Sequence, residues 1–252
     1  MAMKITFLGS GGCIEQAGSK YVATMVECGD AIYLVDGGCA IADELLRANK
    51  EYKNVRALFI THYHGDHTAG VFPFIDLINW AYTDCSLSLV SPTEEYIEAL
   101  KDMIMASLSY GGKVDSERLK FIVAKVGRIF EDENVLVDYF PTKHFKNGDT
   151  PSYAMLITEK ATGKKVLFSG DLSYGLSGND IPKDALLESD VFVCELYHFI
   201  AGELLPHLEG FNGILCINHL FERDKFKKDI LDAFSGHSFG VLAPNNNDII
   251  EI

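Results

Sequence analysis

The densest chemistry in the chain lies in Thr61-His62-Tyr63-His64-Gly65-Asp66-His67. Three imidazoles and one carboxylate fall between His62 and His67. In a tight loop His62 and His64 can face one side while Asp66 and His67 face another, which suits two adjacent metal ions. The plain alternative is a polar surface loop. It explains poorly why three of the eight histidines gather at the end of an apolar run. The segment therefore predicts metal binding.

Such a loop needs rigid elements behind it, and the sequence supplies them. Val55–Thr61 reads as a buried strand leading into the histidines. Before it, Lys4–Leu8 is a short apolar strand, and Tyr21–Glu27 and Ala31–Val35 flank Gly29-Asp30, a two-residue hairpin signal. Ala40–Ala48, Gly70–Tyr82 and Pro92–Ser109 read as helices, the last with Glu94 and Glu95 at its electropositive start. Strands return at Val135–Phe140, Ser152–Thr158 and Lys165–Ser169, the last two joined by a turn at Ala161-Thr162-Gly163-Lys164. Strands at Val191–Glu195 and Ile214–Asn218 then alternate with helices near Ala201–Glu209 and Arg223–Ala233, before a last pair near Val241 and Ile249. This order predicts an α/β fold of two sheets with helices on their outer faces. No repeat or linker interrupts it, so residues 1–252 are expected to form a single domain.

Composition narrows the function. A hydrophobic fraction of 48% supports a sizeable core. The 22 basic and 36 acidic residues give a net charge of −14, which disfavours long nucleic acid and anionic membranes as partners. The longest apolar stretch, Val71 to Tyr82, is interrupted by Pro73, Asp76 and Asn79 and is too short to span a bilayer. No signal-peptide architecture opens the sequence. The six cysteines form no C-x-x-C pair and read as buried free thiols, so a cytoplasmic location is expected.

The motif H-x-H-x-D-H after a strand resembles the signature of the metallo-β-lactamase superfamily. His144 at a strand end, Asp171 in Ser169-Gly170-Asp171 and His219 in Ile217-Asn218-His219 follow in that family's order. Taken singly, His144 or His219 would read as a structural histidine. His207 and His237 match no motif and are read that way. The resemblance implies an αββα sandwich of two mixed β-sheets flanked by helices. It implies one metal held by His62, His64 and His144, another by Asp66, His67 and His219, and Asp171 between them. Two divalent ions, zinc first and manganese or iron as alternatives, suit five imidazoles and two carboxylates. Set ~3.5–4 Å apart, such ions trap a bridging hydroxide for attack.

Within the superfamily, Asp171 stands where many β-lactamases have cysteine, and His64 stands where flavodiiron proteins have glutamate. The set is shared by ribonuclease Z-like phosphodiesterases, lactonases and glyoxalase II-like thioesterases. His198, in Cys194-Glu195-Leu196-Tyr197-His198, resembles a phosphate-directed histidine of the ribonuclease Z branch. It is read as a general acid, against the alternative of a surface or helix-capping residue. Asp66 is expected to orient the nucleophile. Only a hairpin separates His144 from Asp171, where ribonuclease Z carries a basic tRNA-gripping arm. The expected substrate is therefore a small or cyclic anionic phosphodiester.

The rivals are a lactonase or thioesterase, with Tyr63 or Tyr197 polarising the carbonyl, and a metal-binding sensor without turnover. Lys143 and Lys146 flank His144 and read first as solvated lysines; Asp36 resembles the family's strand-end aspartate, which implies a brace for the histidine loop, and Gly9-Ser10-Gly11-Gly12 resembles its N-terminal glycine turn, which implies backbone close to the site. Phe72, Phe74, Trp80, Met103, Met105 and Tyr110 read mainly as core, or as a pocket wall or homodimer face.

Overall fold

The computed structural model describes residues 2–14, 17–109, 111–145, 150–178, 180–220 and 223–252. Lys146 and Tyr110 lie outside the described residues. The first sheet contains β1 (Lys4–Gly9), β2 (Ala23–Cys28), β3 (Ala31–Val35), β4 (Val55–Phe59), β5 (Leu87–Ser91), β6 (Leu119–Val123) and β14 (Ile249–Glu251). Its order is β14-β1-β2-β3-β4-β5-β6. The second contains β7 (Gly127–Glu131), β8 (Val135–Pro141), β9 (Tyr153–Glu159), β10 (Lys165–Phe168), β11 (Val191–Glu195), β12 (Ile214–Asn218) and β13 (Gly240–Leu242). Its order is β13-β12-β11-β10-β9-β8-β7. The helices are α1 (Ile41–Arg47), α2 (Gly65–Thr68), α3 (Val71–Trp80), α4 (Glu94–Ser107), α5 (Lys183–Glu188), α6 (Ala201–Leu204) and α7 (Arg223–Ala233).

Neighbouring residues along a strand point to opposite faces, so a strand buried on both sides must be apolar throughout. Phe7, Phe59, Phe168 and Val193 enter the layer between the sheets with Tyr33, Val137, Tyr139 and Met155. Their neighbours Leu8 and Leu58 instead pack outward with Ile41 and Leu45 of α1, Phe74 and Ile78 of α3, and Leu100 and Ile104 of α4. On the other side Leu167, Phe192, Leu215 and Ile217 pack with Leu186, Leu204 and Phe234. The result is the expected αββα sandwich of two mixed sheets.

The expected hairpins form as antiparallel β2–β3 and β9–β10 pairs. The start of α4 is capped by Thr93, whose side chain accepts from the Tyr96 N–H at 3.3 Å. Five elements were not legible: β5, β6, β7, α5 and the four-residue α2, which the sequence reads as part of the histidine loop. β6 and β7 are edge strands and interleave Lys and Arg with their apolar residues, whereas β5 is a short interior strand that carries Ser88 and Ser91. The helix expected near Ala201–Glu209 is a four-residue α6 followed by a 3₁₀ turn, Leu205–Leu208. Pro206 lies in that turn and has no N–H to extend a helical ladder. The last two strands do not pair with each other. β13 adds to β12 in the second sheet, while β14 pairs antiparallel with β1 in the first.

Candidate metal centre

Strand direction gathers the site. β10, β11 and β12 run parallel, so their carboxyl ends share one edge. Asp171 follows β10, Glu195 ends β11 with His198 just beyond, and His219 follows β12. β8 is antiparallel to β9, which is antiparallel to β10, so Thr142–His144 leaves at the same edge. In the first sheet, parallel β3 and β4 deliver Asp36 and the Thr61–His67 loop. A bond from the Tyr153 N–H to the Thr61 carbonyl, at 3.0 Å, ties the sheets at this point. Gly170 has φ +55°, and a Cβ there would come within 2.5 Å of the Tyr153 carbonyl oxygen. Glycine alone fits this turn before Asp171 comfortably.

All seven sequence-predicted ligands come together, in two groups. His62, His64, His144 and Asp171 form the first, and Asp66, His67 and His219 the second. In the first, Nε2 of His62 and Nε2 of His144 stand 3.1 and 3.2 Å from Nδ1 of His64. One His64 nitrogen has a single proton or a single lone pair to offer and cannot satisfy both. Asp171 turns Oδ2 towards this group, 3.6 Å from His62 Nε2 and 3.8 Å from His144 Nε2. Its Oδ1 faces the second group, 3.3 Å from His67 Nε2 and 3.9 Å from His219 Nδ1. Asp66 Oδ2 lies 2.9 Å from His219 Nε2 and 3.8 Å from His67 Nε2.

These donors fit divalent cations. Three atoms of the centre, His67 Nε2, Asp171 Oδ1 and His219 Nδ1, are buried without a hydrogen-bond partner. An unmet buried polar atom costs roughly 1–3 kcal/mol, so three converging ones call for an occupant that accepts electron pairs. A cavity of about 30 Å³ lies among them, lined also by Asp36, Thr61, Glu195 and Asn218. That space admits a water-sized species but no substrate.

The electrostatics agree. Burial lowers the His62, His64 and His144 pKa values, favouring the neutral imidazole that a ligand needs. Burial opposes charge at His67 too, but the Asp171 and Asp36 carboxylates outweigh it and raise its pKa well above the usual range. Burial works against ionised Asp171, yet the charges of His219, His67 and His62 hold it far below the usual carboxylate range. At Asp66 the His219 hydrogen bond overcomes burial and lowers the pKa. The place between Asp36, Asp66 and Asp171 thus favours positive charge.

Asp36 holds the histidine loop, as its resemblance to the family's strand-end aspartate implied. Its carboxylate accepts from the Thr61 N–H at 2.8 Å and the Thr61 hydroxyl at 2.9 Å, and meets His67 Nδ1 at 2.8 Å. Asp36 and His219 have φ of 57° and 51°, left-handed backbone that non-glycine residues adopt at a cost. These two lie at the centre, while Asn49, Leu108, Leu176 and Asn247 adopt the same region elsewhere. The N-terminal glycine turn reaches it as well: a Cβ on Gly12 would meet the Tyr197 ring at 3.0 Å. The Tyr197 ring itself is 5.5 Å from that of His219.

His198 is at the rim of the same centre, its Nδ1 3.8 Å from Asp171 Oδ2. Sequence reasoning missed its partner. Glu195, 3% exposed, places both carboxylate oxygens 2.9 Å from His198 Nδ1. Glu195 also accepts from the N–H groups of Leu172, Tyr197 and His198, at 2.8, 2.9 and 3.0 Å. Burial lowers the His198 pKa, but the hydrogen bond and charge of Glu195 outweigh it, and the net shift is upward. The available signal was Glu195 itself, an acid ending an apolar strand three residues before a histidine.

Other expected residues fall outside the centre. The Lys143 side chain is exposed. His207 and His237 are in neither ligand group. Tyr63 stacks on Tyr96 at 6.2 Å and lies 6.0 Å from Phe145, whose ring is 5.0 Å from His64. Phe74 is core, Phe72 packs against it, and Trp80, Met103 and Met105 are exposed. Five cysteines are buried, as expected, whereas Cys13 is exposed. Among the described residues no helix is long and apolar enough to cross a membrane.

The fold and this constellation define a protein of the metallo-β-lactamase superfamily, as the motif resemblance implied. The metallo-β-lactamase fold protein YhfI from Bacillus subtilis superimposes with a TM-score of 0.74 at 19% identity, covering 100% of both chains. The sequence model described as "Anti-Pycsar protein Apyc1" matches residues 3–185, and the chain belongs to that family. Among curated relatives, ribonuclease Z of Pediococcus pentosaceus is 29% identical over 163 residues, covering 63% of this chain and 50% of the relative. Ribonuclease Z of Methanocaldococcus jannaschii is 26% identical over 234 residues, covering 84% of this chain and 70% of the relative. The chain spans about half the length of the first of these.

These relatives correct one expectation. The net charge of −14 was taken to disfavour long nucleic acid, yet the relatives are named as ribonucleases. Total charge governs the distant field and the rate of approach. It does not set the local potential where a phosphate would bind, and the hairpin between His144 and Asp171 does not exclude a polynucleotide held elsewhere.

Proposed function

We propose that this chain is a metal-dependent phosphodiesterase with two divalent ions, zinc foremost, acting on a small or cyclic phosphodiester. The observation that supports it most is the single ring of chemistry around Asp171. One of its oxygens faces each ligand group, and His198, held by Glu195, stands beside it. His62, His64 and His144 would hold one ion and Asp66, His67 and His219 the other, with Asp171 shared. When bound, the ions supply Lewis acidity and positive charge for a phosphoryl oxygen.

The chain's own residues do the rest. Glu195 engages His198 Nδ1, fixing the ring and leaving Nε2 as the nitrogen that meets substrate. The Glu195 carboxylate stabilises the protonated ring, so His198 acts as general acid, giving its proton to the leaving alkoxide. Asp66, anchored to His219 Nε2 at 2.9 Å, orients the nucleophile. Asp36 keeps His67 in one tautomer and one orientation.

The relatives named ribonuclease Z favour a second reading, in which the phosphodiester belongs to RNA. The test is a panel on zinc-loaded protein: bis(p-nitrophenyl) phosphate, a cyclic phosphodiester, an RNA with an extended 3′ end, a lactone and a thioester. The proposal expects the first two to be hydrolysed fastest. Preferred cleavage of RNA supports the second reading, and preferred turnover of lactone or thioester contradicts both.

A further inference from the structure

Asp180 lies outside the ligand groups, yet it is 8% exposed and fully engaged. Its Oδ2 accepts from two backbone N–H groups, Lys143 at 2.8 Å and Ser173 at 3.1 Å. Its Oδ1 accepts from the Ser173 hydroxyl at 3.1 Å, and that hydroxyl oxygen accepts from the Gly178 N–H at 2.8 Å. Lys143 immediately precedes His144, and Ser173 is two residues beyond Asp171. One carboxylate therefore joins the loop that carries His144 to the loop that carries Asp171. Two direct links between these loops are neutral: the Thr142 hydroxyl donates to the Asp171 carbonyl at 3.1 Å, and His144 Nδ1 meets the Leu172 carbonyl at 3.2 Å.

We propose that Asp180 is a positioning residue for the first ligand group, setting His144 against Asp171 and so tuning that group's hold on its ion. The inference rests on the metal reading of the site. The chemistry asks for an acceptor-only group with two oxygens, because two N–H groups converge on one oxygen and a hydroxyl on the other. A charged acceptor makes shorter and stronger bonds to N–H than a neutral one. Asp36 serves the Thr61–His67 loop in the same way, and Glu195 accepts from the Leu172 N–H beside Asp171, so buried carboxylates brace ligand-bearing backbone on both sides of the centre. The reach of Asp180 is confined to His144 and the shared Asp171. Asp66 and His67 are held by their own loop, and His219 leaves from β12.

Asparagine is the conservative variant. Its carbonyl oxygen can take the two N–H groups, and its amide can donate to the Ser173 oxygen. Alanine removes all three bonds. The experiment titrates metal-free protein with Zn²⁺ alone against a chromophoric chelator, and records the Co²⁺ visible spectrum and the melting temperature of each variant.

Wild type is expected to bind two ions. Asp180→Ala should weaken one of the two about 10- to 100-fold, the range for losing an outer partner of a ligand. Its Co²⁺ bands should change, and the other ion, which shares Asp171 but keeps Asp66, His67 and His219, should be weakened less. Asp180→Asn should restore affinity to within a few-fold. Should Asp180→Ala fail to fold, Asp180→Asn and Ser173→Ala carry the test, with a smaller selective loss expected in Ser173→Ala. Two unchanged affinities in Asp180→Ala, or equal weakening of both ions in any folded variant, overturn the inference. A wild-type protein that takes up no zinc overturns the metal reading and this inference with it. Normal two-ion binding with no phosphodiester hydrolysis would overturn only the proposed reaction.

Discussion

The two ligand groups share Asp171 but are built differently. The first is open: His64 is exposed, and its fellow imidazoles are backed by neutral groups. His62 Nδ1 meets the Thr61 hydroxyl at 3.2 Å, and His144 Nδ1 meets the Leu172 carbonyl. The second is closed: Asp66, His67 and His219 are all buried, and His67 Nδ1 is backed by the Asp36 carboxylate. A carboxylate-backed imidazole is a more basic and more rigid ligand. All three orphaned atoms at the centre involve the second group or the Asp171 oxygen facing it. The closed group would therefore depend more on a bound cation for stability, and the open group presents one imidazole, His64, at the surface.

This contrast is easiest to break by removing one histidine from each group. His67→Ala leaves Asp36 and Asp171 buried without their shared partner. The metal-free protein should lose about 3–5 kcal/mol in urea unfolding, the range for breaking a buried ion pair. His198→Ala tests the rim beside the open group. Metal content should be retained while kcat falls 10²–10⁴-fold, and normal turnover of bis(p-nitrophenyl) phosphate would remove His198 from the mechanism. Asp36→Asn keeps the shape of the brace but not its charge, and should cost about 1–3 kcal/mol, read from the same unfolding curves. His64→Ala should change metal-free stability by no more than about 0.5 kcal/mol, as for an exposed position, while abolishing metal binding in the open group and activity with it. Equal stability losses in His64→Ala and His67→Ala would erase the distinction.

Much of this cluster was legible in the sequence, because its candidate ligands are rare residue types at the ends of apolar strands. His62 to His67 announced themselves by density, and His144, Asp171 and His219 by order. The braces were harder to read. Glu195 ends a strand, and Asp180 sits in a loop beside Asn179. Their roles depend on which backbone N–H groups converge on them, which spacing does not encode. The same holds for the fold. Long apolar strands read clearly, whereas the edge strands β6 and β7, with Lys and Arg among their apolar residues, and the short buried β5, with two serines, did not. The net charge misled because it sums over the whole chain what a substrate meets at one edge.

The central claim is that phosphodiester hydrolysis belongs to two metal ions held by these seven residues. The most direct measurement adds Zn²⁺ back to metal-depleted protein while following hydrolysis of bis(p-nitrophenyl) phosphate. Activity should rise from baseline and saturate near two equivalents. Hydrolysis that persists without metal, or protein that binds two equivalents and stays inert, would contradict the account.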